Sequence, residues 1–551
     1  VPDSDGAGGV ATPGMATTDA TTPVQTRPES PWAPLRNAVF RNLWIALLFS
    51  NVGTWMQTVG AQWLLVDEPN AATLVSIVQT ATLLPALLLA LPAGALADSF
   101  DRRGMLIVVQ AYMLAVAVGL TVLTAFDQMP PALLLTLTFA LGVGQTLTMP
   151  TWQALIPELI PRKQIPSASA LGAISVNVAR AVGPAIAGVL IARAGPEFVF
   201  GVNAASFLVF IVILLMWRPP QEEEHGTPER FTSALRAGGR YVRHSPVVRR
   251  ILLRTALFVV PGSALWGLLP LVANTRLHLD AGGYGLMLGA LGVGAVAGAL
   301  IMPRVRQRLS TNQMLTLSGV LYAGSMTATA TSTVTAVTLV LLIPAGVAWV
   351  AVLSSIGAAV QLFLPAWVRA RGLAIYQVVF AGGQALGALA WGVLADVVHV
   401  DGALLVAAAV MAFGALTVRW LPLRDSRGMD RDPAEYWPEP ELTEEPDPQD
   451  GPILVTADYV VLPEQRDEFV AAMRVVRRTK LRTGATRWGL FRQGEHENHY
   501  TEVYLVPSWD EHLRQHYGRL TGSDRAADEY AQSLAQGPAN VTHLLPADPP
   551  H

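Results

Sequence analysis

Gly94-Ala95-Leu96 recurs as Gly298-Ala299-Leu300, Gly183 with Gly188 recurs as Gly387 with Gly392, and Pro161 recurs as Pro365, each at an offset of 204 residues. One offset shared by unrelated segments reads as two copies of a single membrane unit over residues 42–418. Mean hydropathy is +0.39. Hydrophobic residues make up 52% and charged ones 14% of the chain, a more apolar balance than a water-soluble core of this size needs. Apolar stretches of spanning length fall at 42–66, 72–97, 105–126, 131–156, 167–192, 198–217, 252–275, 283–303, 313–332, 334–362, 372–395 and 403–418, six in each copy. The expected fold is an all-α polytopic membrane protein: twelve transmembrane helices in two pseudo-symmetric six-helix halves, the architecture of a transporter.

Charge orients this unit, because Lys and Arg near span ends resist translocation. Loops after even-numbered spans carry sixteen basic residues, Arg102, Arg103, Arg162, Lys163, Arg369 and Arg371 among them, whereas loops after odd-numbered spans carry only Arg193 and Arg276. Both termini are therefore expected in the cytoplasm, with the chain multi-pass in the inner (cytoplasmic) membrane. Residues 1–35, rich in Thr, Pro, Gly and Ala, read as a disordered cytoplasmic tail with no cleavable signal peptide. Residues 36–217 form the first half and 251–421 the second. The middle loop over 218–250 places Phe231, Leu235, Gly238 and Val242 on one helical face, suited to the inner leaflet. The net charge of -3 says little about partners, since basic residues face the membrane while acidic ones gather in a later linker; no nucleic acid is expected. The absence of cysteine excludes disulfides and thiol chemistry.

An ionisable side chain deep in a span is costly, about 2.5–3.5 kcal/mol or more, and is by default a functional candidate. The sequence offers essentially one, Arg180, which shares a helical face with Ala173, Asn177 and Pro184. It either recognises an anionic or polyphenolic substrate in a central cavity or locks helices together through carbonyls and amides. Gln384, at the 204-residue offset, is expected to face it from the other half. Asn51, Trp55, Thr58 and Gln62 form a polar and aromatic stripe along the first span that faces protein or water rather than lipid. Gln79, Gln145, Trp266, Tyr376 and Gln377 are further cavity candidates.

Gly94-Ala-Leu-Ala-Asp98-Ser-Phe-Asp-Arg102-Arg103-Gly104 resembles the signature loop of the major facilitator superfamily. The resemblance implies a conformational latch formed by Gly94, Asp98, Arg102 and Arg103. Gly183-Pro184-Ala-Ile-Ala-Gly188 is similar to a motif of the superfamily's exporters, implying helix packing and bending at Gly183, Pro184 and Gly188, and at Gly387 and Gly392 in the second copy. Phe40-Arg-Asn-Leu-Trp44 through Asn51-Val-Gly-Thr-Trp55-Met-Gln57, with Leu91-Pro-Ala-Gly94, resembles the transmembrane secretion effector branch over residues 36–421. That branch includes siderophore exporters and multidrug efflux relatives. It implies export of a hydrophobic or amphipathic small molecule by alternating access, without a bound cofactor. The span-four region offers Thr138, Gly142 and Gln145 and no acid, so coupling to a proton gradient is implied by the superfamily alone, with Asp98 the nearest titratable group.

Residues 422–450 hold a Pro-rich acidic linker, with ten acidic residues and five prolines between 425 and 450. Beyond it, strands at 453–461, 485–492, 498–506 and 541–545 and helices at 464–481 and 508–520 give the order β-α-β-β-α-β, a ferredoxin-like domain over 451–551. With Ser508-Trp509-Asp510-Glu511-His512 and His516, it resembles the antibiotic-biosynthesis monooxygenase superfamily, whose members pair as dimers. A noncatalytic module for homodimerisation or sensing is one reading. The alternative is a tethered cofactor-free or haem-handling monooxygenase using Trp488, Tyr504, Trp509, His512 and His516. No metal site is identified, because His512 and His516 lack recognisable third and fourth ligands.

Overall fold

Backbone amides in hydrocarbon need internal partners, and the apolar stretches meet that need as helices. The computed structural model describes residues 32–217, 231–423 and 446–547, with positions 30, 430, 434 and 442. The expected tail over 1–35 and linker over 422–450 lie mostly outside the described residues, as do residues 218–230. The helices of the first half are α1 (Ala38–Trp63), α2 (Ala71–Ser99), α3 (Arg102–Ala125), α4 (Pro131–Leu159), α5 (Ile165–Ala194) and α6 (Pro196–Met216). Helix α7 (Phe231–His244) occupies the middle loop. The second half contains α8 (Pro246–Leu271), α9 (Ala281–Arg308), α10 (Thr311–Thr331), α11 (Thr335–Phe363) and α12 (Ala366–Leu416).

Nine helices among the described residues are long and apolar enough to cross a membrane. The count differs from the twelve separate spans expected, for two physical reasons. Helices α1 and α10 have the length, but polar residues dilute their hydropathy, Asn51, Gln57 and Gln62 in α1 and the many Ser and Thr residues of α10. The stretches read as the last two spans, 372–395 and 403–418, are two helices that meet at a non-helical His399, where φ is 62°; the apolar run across that kink counts once, and α12 denotes the pair.

The two-copy pattern appears in how the paired glycines pack. A Cβ on Gly183 would sit 2.8 Å from Trp55 Cβ and 3.0 Å from the Val52 carbonyl, so this glycine seats α5 on α1 within the first half. Gly387 does the same for α12 on α8, with the Val260 carbonyl 2.8 Å away. Gly188 and Gly392 instead join the halves. Gly188 presses against the Ala281 carbonyl and Gly285 of α9, and Gly392 against Ser76 and the Ala72 carbonyl of α2. Small residues let backbones approach where apolar lipid supplies no driving force for association.

The C-terminal region has strands β1 (Ile453–Val460), β2 (Arg487–Arg492), β3 (His499–Val506) and β4 (Asn540–Leu544) in one antiparallel sheet of order β2-β3-β1-β4. Alternate residues of β1 and β3 are buried under helix α13 (Arg466–Thr483) and its neighbours, with Tyr459, Phe469, Met473 and Tyr500 at the centre. The helix expected over 508–520 is instead α14 (Trp509–Arg514) followed by a π-turn over Gln515–Arg519, and a further helix, α15 (Gly522–Ser533), follows it. Helix α15 escaped the sequence reading because its charged face leaves few apolar residues; a capping box from Thr521 and Asp524 starts it.

This region is fastened to the membrane unit through α7 and α12. Arg240 of α7 pairs with Glu511 at 2.9 Å, and Glu511 also accepts two bonds from Arg519 at 2.8 and 2.7 Å. Burial opposes the Glu511 charge, but Arg519 and then Arg240 more than offset it and hold the carboxyl below its ordinary range. The Arg519 guanidinium lies 5.0 Å over Trp367 at the start of α12, whose indole N–H donates to the Arg519 carbonyl at 3.2 Å. Arg482 lies over Tyr241 of α7, which meets Trp367 edge-on at 5.6 Å. Val242, expected at the inner leaflet, packs against the core of the membrane unit; Phe231 and Leu235 have side chains outside the described residues.

Candidate functional site

Helices α5 and α9 meet through Gly188, Gly285 and Gly292, each too close to the facing helix to take an added Cβ without a shift, Gly292 lying against Ala181. One and two turns toward the basic loops the contact ends. Asn177 and Ala173 continue the same α5 face yet are exposed, as are Val296 and Ala299 on α9. Buried cores separate in the same direction: Phe40, Trp152, Leu155 and Phe210 form a cluster wholly within the first half. Hydrogen bonds recorded between the halves fall from mid-depth to the far end, at Gln62–Trp266, Tyr284–Gln62, Asn274–Asp67, Thr80–Ala385 and Thr73–Asp396. Among the described residues, the halves meet away from the basic loops and part toward them.

Arg180 lies where they begin to part. Its Nε is buried without a hydrogen-bond partner, and its guanidinium sits 5.5 Å over the Trp55 ring. Trp55 leads into an aromatic belt that crosses between the halves: Trp55–Trp266 at 6.0 Å, Trp266–Trp349 at 5.6 Å, Trp349–Phe380 at 6.5 Å and Phe380–Tyr376 at 6.4 Å. A cation on an aromatic face, with unused planar donors, suits a ligand that offers both negative oxygens and an apolar or aromatic body.

The other cavity candidates divide by position. Gln145 donates to Thr54 at 3.1 Å beside Trp55, and Asn51 donates to Ser175 at 3.0 Å, tying α1 to α5. Thr58 bonds its own helix at Thr54. Gln62 is fully engaged near the far end, accepting from Tyr284 at 2.6 Å, so it belongs to the closure between the halves. Gln79 and Gln384 are buried and Gln377 is exposed. Among the described residues no hydrogen bond joins Gln384 to Arg180. Trp349 and Phe380 were missed by sequence reasoning, although Tyr376 and Phe380 stand one helical turn apart and that spacing was a usable signal.

Arg180 is not the only ionisable group within a span. Arg254 in α8 is 4% exposed. It donates to the carbonyls of Gly414, Thr417 and Leu421 and to the Thr417 hydroxyl, stitching α8 to the end of α12. Arg254 is what a structural arginine looks like in this chain, and Arg180 differs from it in having a buried Nε with no hydrogen-bond partner.

In the signature loop, Asp101 caps α3 by accepting from the Gly104 amide at 2.6 Å, which explains an acid there. Arg102 pairs with Glu158, and Arg103 donates to the Leu214 and Leu215 carbonyls at 2.9 and 3.2 Å. Both arginines thus brace the first half. The side chains of Asp98 and the position of Gly94 within its packing lie outside the described residues.

In the C-terminal region Trp488 donates to Glu502 at 2.6 Å, and Lys480 lies 5.3 Å over Tyr504 while pairing with Asp528 at 3.4 Å. Trp509, His512 and His516 come together with His543, which the sequence reading missed; the His512 ring lies 4.5 Å from His516 and 4.9 Å from His543. Among the described residues no group of three or more His, Asp or Glu is placed to hold a metal. Burial, then neighbouring His543 and Lys480, pushes His512 down to about 3; burial, then His512 and Lys480, pushes His516 down to about 2. Burial pushes Asp528 up to about 6 against the opposing pull of Lys480.

These shifts fix the sign of the region's acid response. Below the ordinary histidine value of 6.5 the unfolded chain takes up protons that buried His512 and His516 refuse, so stability falls as pH drops. Asp528 works the other way between about 6 and its ordinary 3.8, and one carboxyl offsets only part of two imidazoles. The protection factors of β1 and β3 amides in the full-length protein, corrected for the intrinsic pH dependence of exchange, should therefore fall by about tenfold or more from pH 7 to pH 5. Unchanged protection over that range would refute the neutral buried cluster.

The sequence profile of the transmembrane secretion effector family matches residues 29–549. The chain belongs to the transmembrane secretion effector family. The match runs through the C-terminal sheet region, beyond the 36–421 over which the resemblance was read, so this region lies within the family's own span. Among curated relatives, the staphyloferrin A transporter of Staphylococcus aureus is 25% identical over 50% of this chain and 69% of its own length. The enterobactin exporters EntS of Citrobacter koseri and Shigella boydii are 26% and 27% identical over 41% of this chain. The chain spans about half the length of these exporters, 54% and 53%. Solved structures share the fold: a bacterial homologue of the human lysosomal transporter Spinster, inward-facing and occupied, superposes with a TM-score of 0.57 at 14% identity, covering 70% of this chain and 97% of that one. The nucleoside transporter NupG gives 0.56 at 14%, covering 71% and 100%. The membrane unit of this family member therefore has the fold of major facilitator transporters.

Proposed function

We propose that this protein exports an amphipathic, anionic small molecule of the siderophore type across the cytoplasmic membrane by alternating access, with twelve spans and both termini in the cytoplasm. The observation that carries the reading is Arg180: a buried guanidinium with an unpartnered Nε, lying on the face of an aromatic belt where the two halves part. Opening toward the basic loops corresponds to an inward-facing state, ready to load from the cytoplasm. Catecholate and carboxylate ligands offer what this site lacks, negative oxygens for the guanidinium and rings or chains for Trp55, Trp266 and Trp349. The relatives named as staphyloferrin and enterobactin transporters agree with that chemistry. Asp98, with Gly94, Arg102 and Arg103, serves as the cytoplasmic latch, and a proton gradient drives the cycle. The C-terminal region acts as a ferredoxin-like, noncatalytic module, consistent with its sheet order and with a family match that includes it.

Comparison of retained and secreted metabolites in strains with and without the protein tests the reading. Deletion should raise an anionic, metal-chelating product inside the cell and lower it outside. Unchanged pools together with loss of an oxidised product would overturn export and favour a tethered monooxygenase.

A further inference from the structure

Helix α2 begins without a cap of its own. Asn70 precedes it with φ 57° and makes no side-chain cap bond, although the first amides of a helix need acceptors. The acceptor comes from the other half of the molecule: Asp396 of α12 accepts from the Thr73 amide at 3.2 Å and from the Thr73 hydroxyl through the same oxygen. Helix α9, which stands in the second copy where α2 stands in the first, caps itself, Asp280 accepting from the Gly283 amide at 2.9 Å. One of two equivalent helices thus borrows its cap across the interface that must break when the far end opens.

We propose that Asp396 is a trans-acting helix cap that holds the far end shut and sets how readily the transporter leaves its inward-facing state. The proposal rests on the alternating-access reading above. A carboxylate at a helix N-terminus satisfies an amide and meets the positive end of the helix dipole, and both contributions vanish once α12 withdraws from α2. Gly392, one turn earlier on α12, brings the backbones close enough for the contact to form. Asp396 is exposed and makes no recorded contact with the aromatic belt, so its loss acts on the balance of states and leaves the substrate site intact.

The test uses paired spin labels, which the natively cysteine-free chain permits at chosen positions. Asp127→Cys with Thr333→Cys reports the far end, and Ala38→Cys with Gln307→Cys reports the basic end. Asp396→Ala should enlarge the population with a long far-end distance and a short basic-end distance by about fivefold. Asp396→Asn, which keeps an acceptor and loses the charge, should fall between Ala and wild type, and Thr73→Val should do less than Asp396→Ala because the amide remains. Distances unchanged by Asp396→Ala, in a protein whose two label pairs still report two reciprocal states, would overturn the cap and leave alternating access standing. A single distance at both pairs in every variant and with every substrate tried would overturn alternating access itself.

Discussion

Arg180→Ala is expected to lower export of an anionic substrate by about ten- to a hundredfold per folded molecule, while a neutral amphipathic substrate changes by less than about threefold. The magnitude follows from losing one or two charge-assisted hydrogen bonds in a partly desolvated site, each about 1.5–3 kcal/mol. Arg180→Lys separates the components, because an ammonium keeps the charge but lacks the planar fork and stacks less well on Trp55. It should retain an intermediate rate. A structural arginine predicts a different pattern, and Arg254 supplies the control. Replacing Arg254 strands the carbonyls of Gly414, Thr417 and Leu421, so it should lower the amount of folded protein without altering the ratio of anionic to neutral transport. If Arg180 variants behave like Arg254 variants, with falling yield and an unchanged ratio, Arg180 has no part in recognition.

Gly188→Val and Gly392→Val should abolish most transport, with rates down more than about tenfold, yet leave each half folded. A Cβ on Gly188 would stand 2.6 Å from the Ala281 carbonyl and 2.9 Å from Gly285 Cα, and one on Gly392 would stand 2.7 Å from the Ala72 carbonyl. Backbone atoms cannot rotate aside as a side-chain tip can, so the halves relieve the clash by separating at the far end. Overpacking typically costs about 1–3 kcal/mol, enough to shift a two-state balance by about five- to a hundredfold. Gly183→Val and Gly387→Val introduce the same volume inside a half and should reduce folded yield. Labels across the far end decide the matter: equal inter-half distances for the Gly183 and Gly188 variants would mean that the paired glycines do not divide into packing within and between halves.

The repeat was legible because a helix interface writes itself into sequence as glycine at fixed spacing. The 204-residue offset therefore located the contacts of α5 with α1 and α9 and of α12 with α8 and α2. Arg180 and Trp55 were legible for a related reason, since a charge or a polar stripe in an apolar helix is conspicuous. Other parts depend on tertiary partners. Arg254 stands at a span edge in sequence, and only the return of residues 414–421 shows it to be buried and satisfied. Gln62 belongs to the same stripe as Asn51 and Trp55, but it stands at the far end of α1, where Tyr284 and the Trp266 carbonyl of the second half meet it. Trp349 and His543 are single aromatic residues in helix and strand, and what distinguishes them is the company the fold gives them. The borrowed cap on α2 left no local trace, because its acceptor stands 323 residues away.

The fastening of Trp367 and Tyr241 to Arg519 and Arg482 bears on which part of the machine moves. The C-terminal region has hydrogen bonds and ion pairs with α7 and α12. It is tied to the middle-loop helix and to the second half. Should two chains pair through their sheets, the two second halves become a common stator and the two first halves become rotors, each free to swing without its neighbour. A binder raised against the sheet region would then act as a brake on the stator's side, and two transporters joined in this way would still run their cycles out of step.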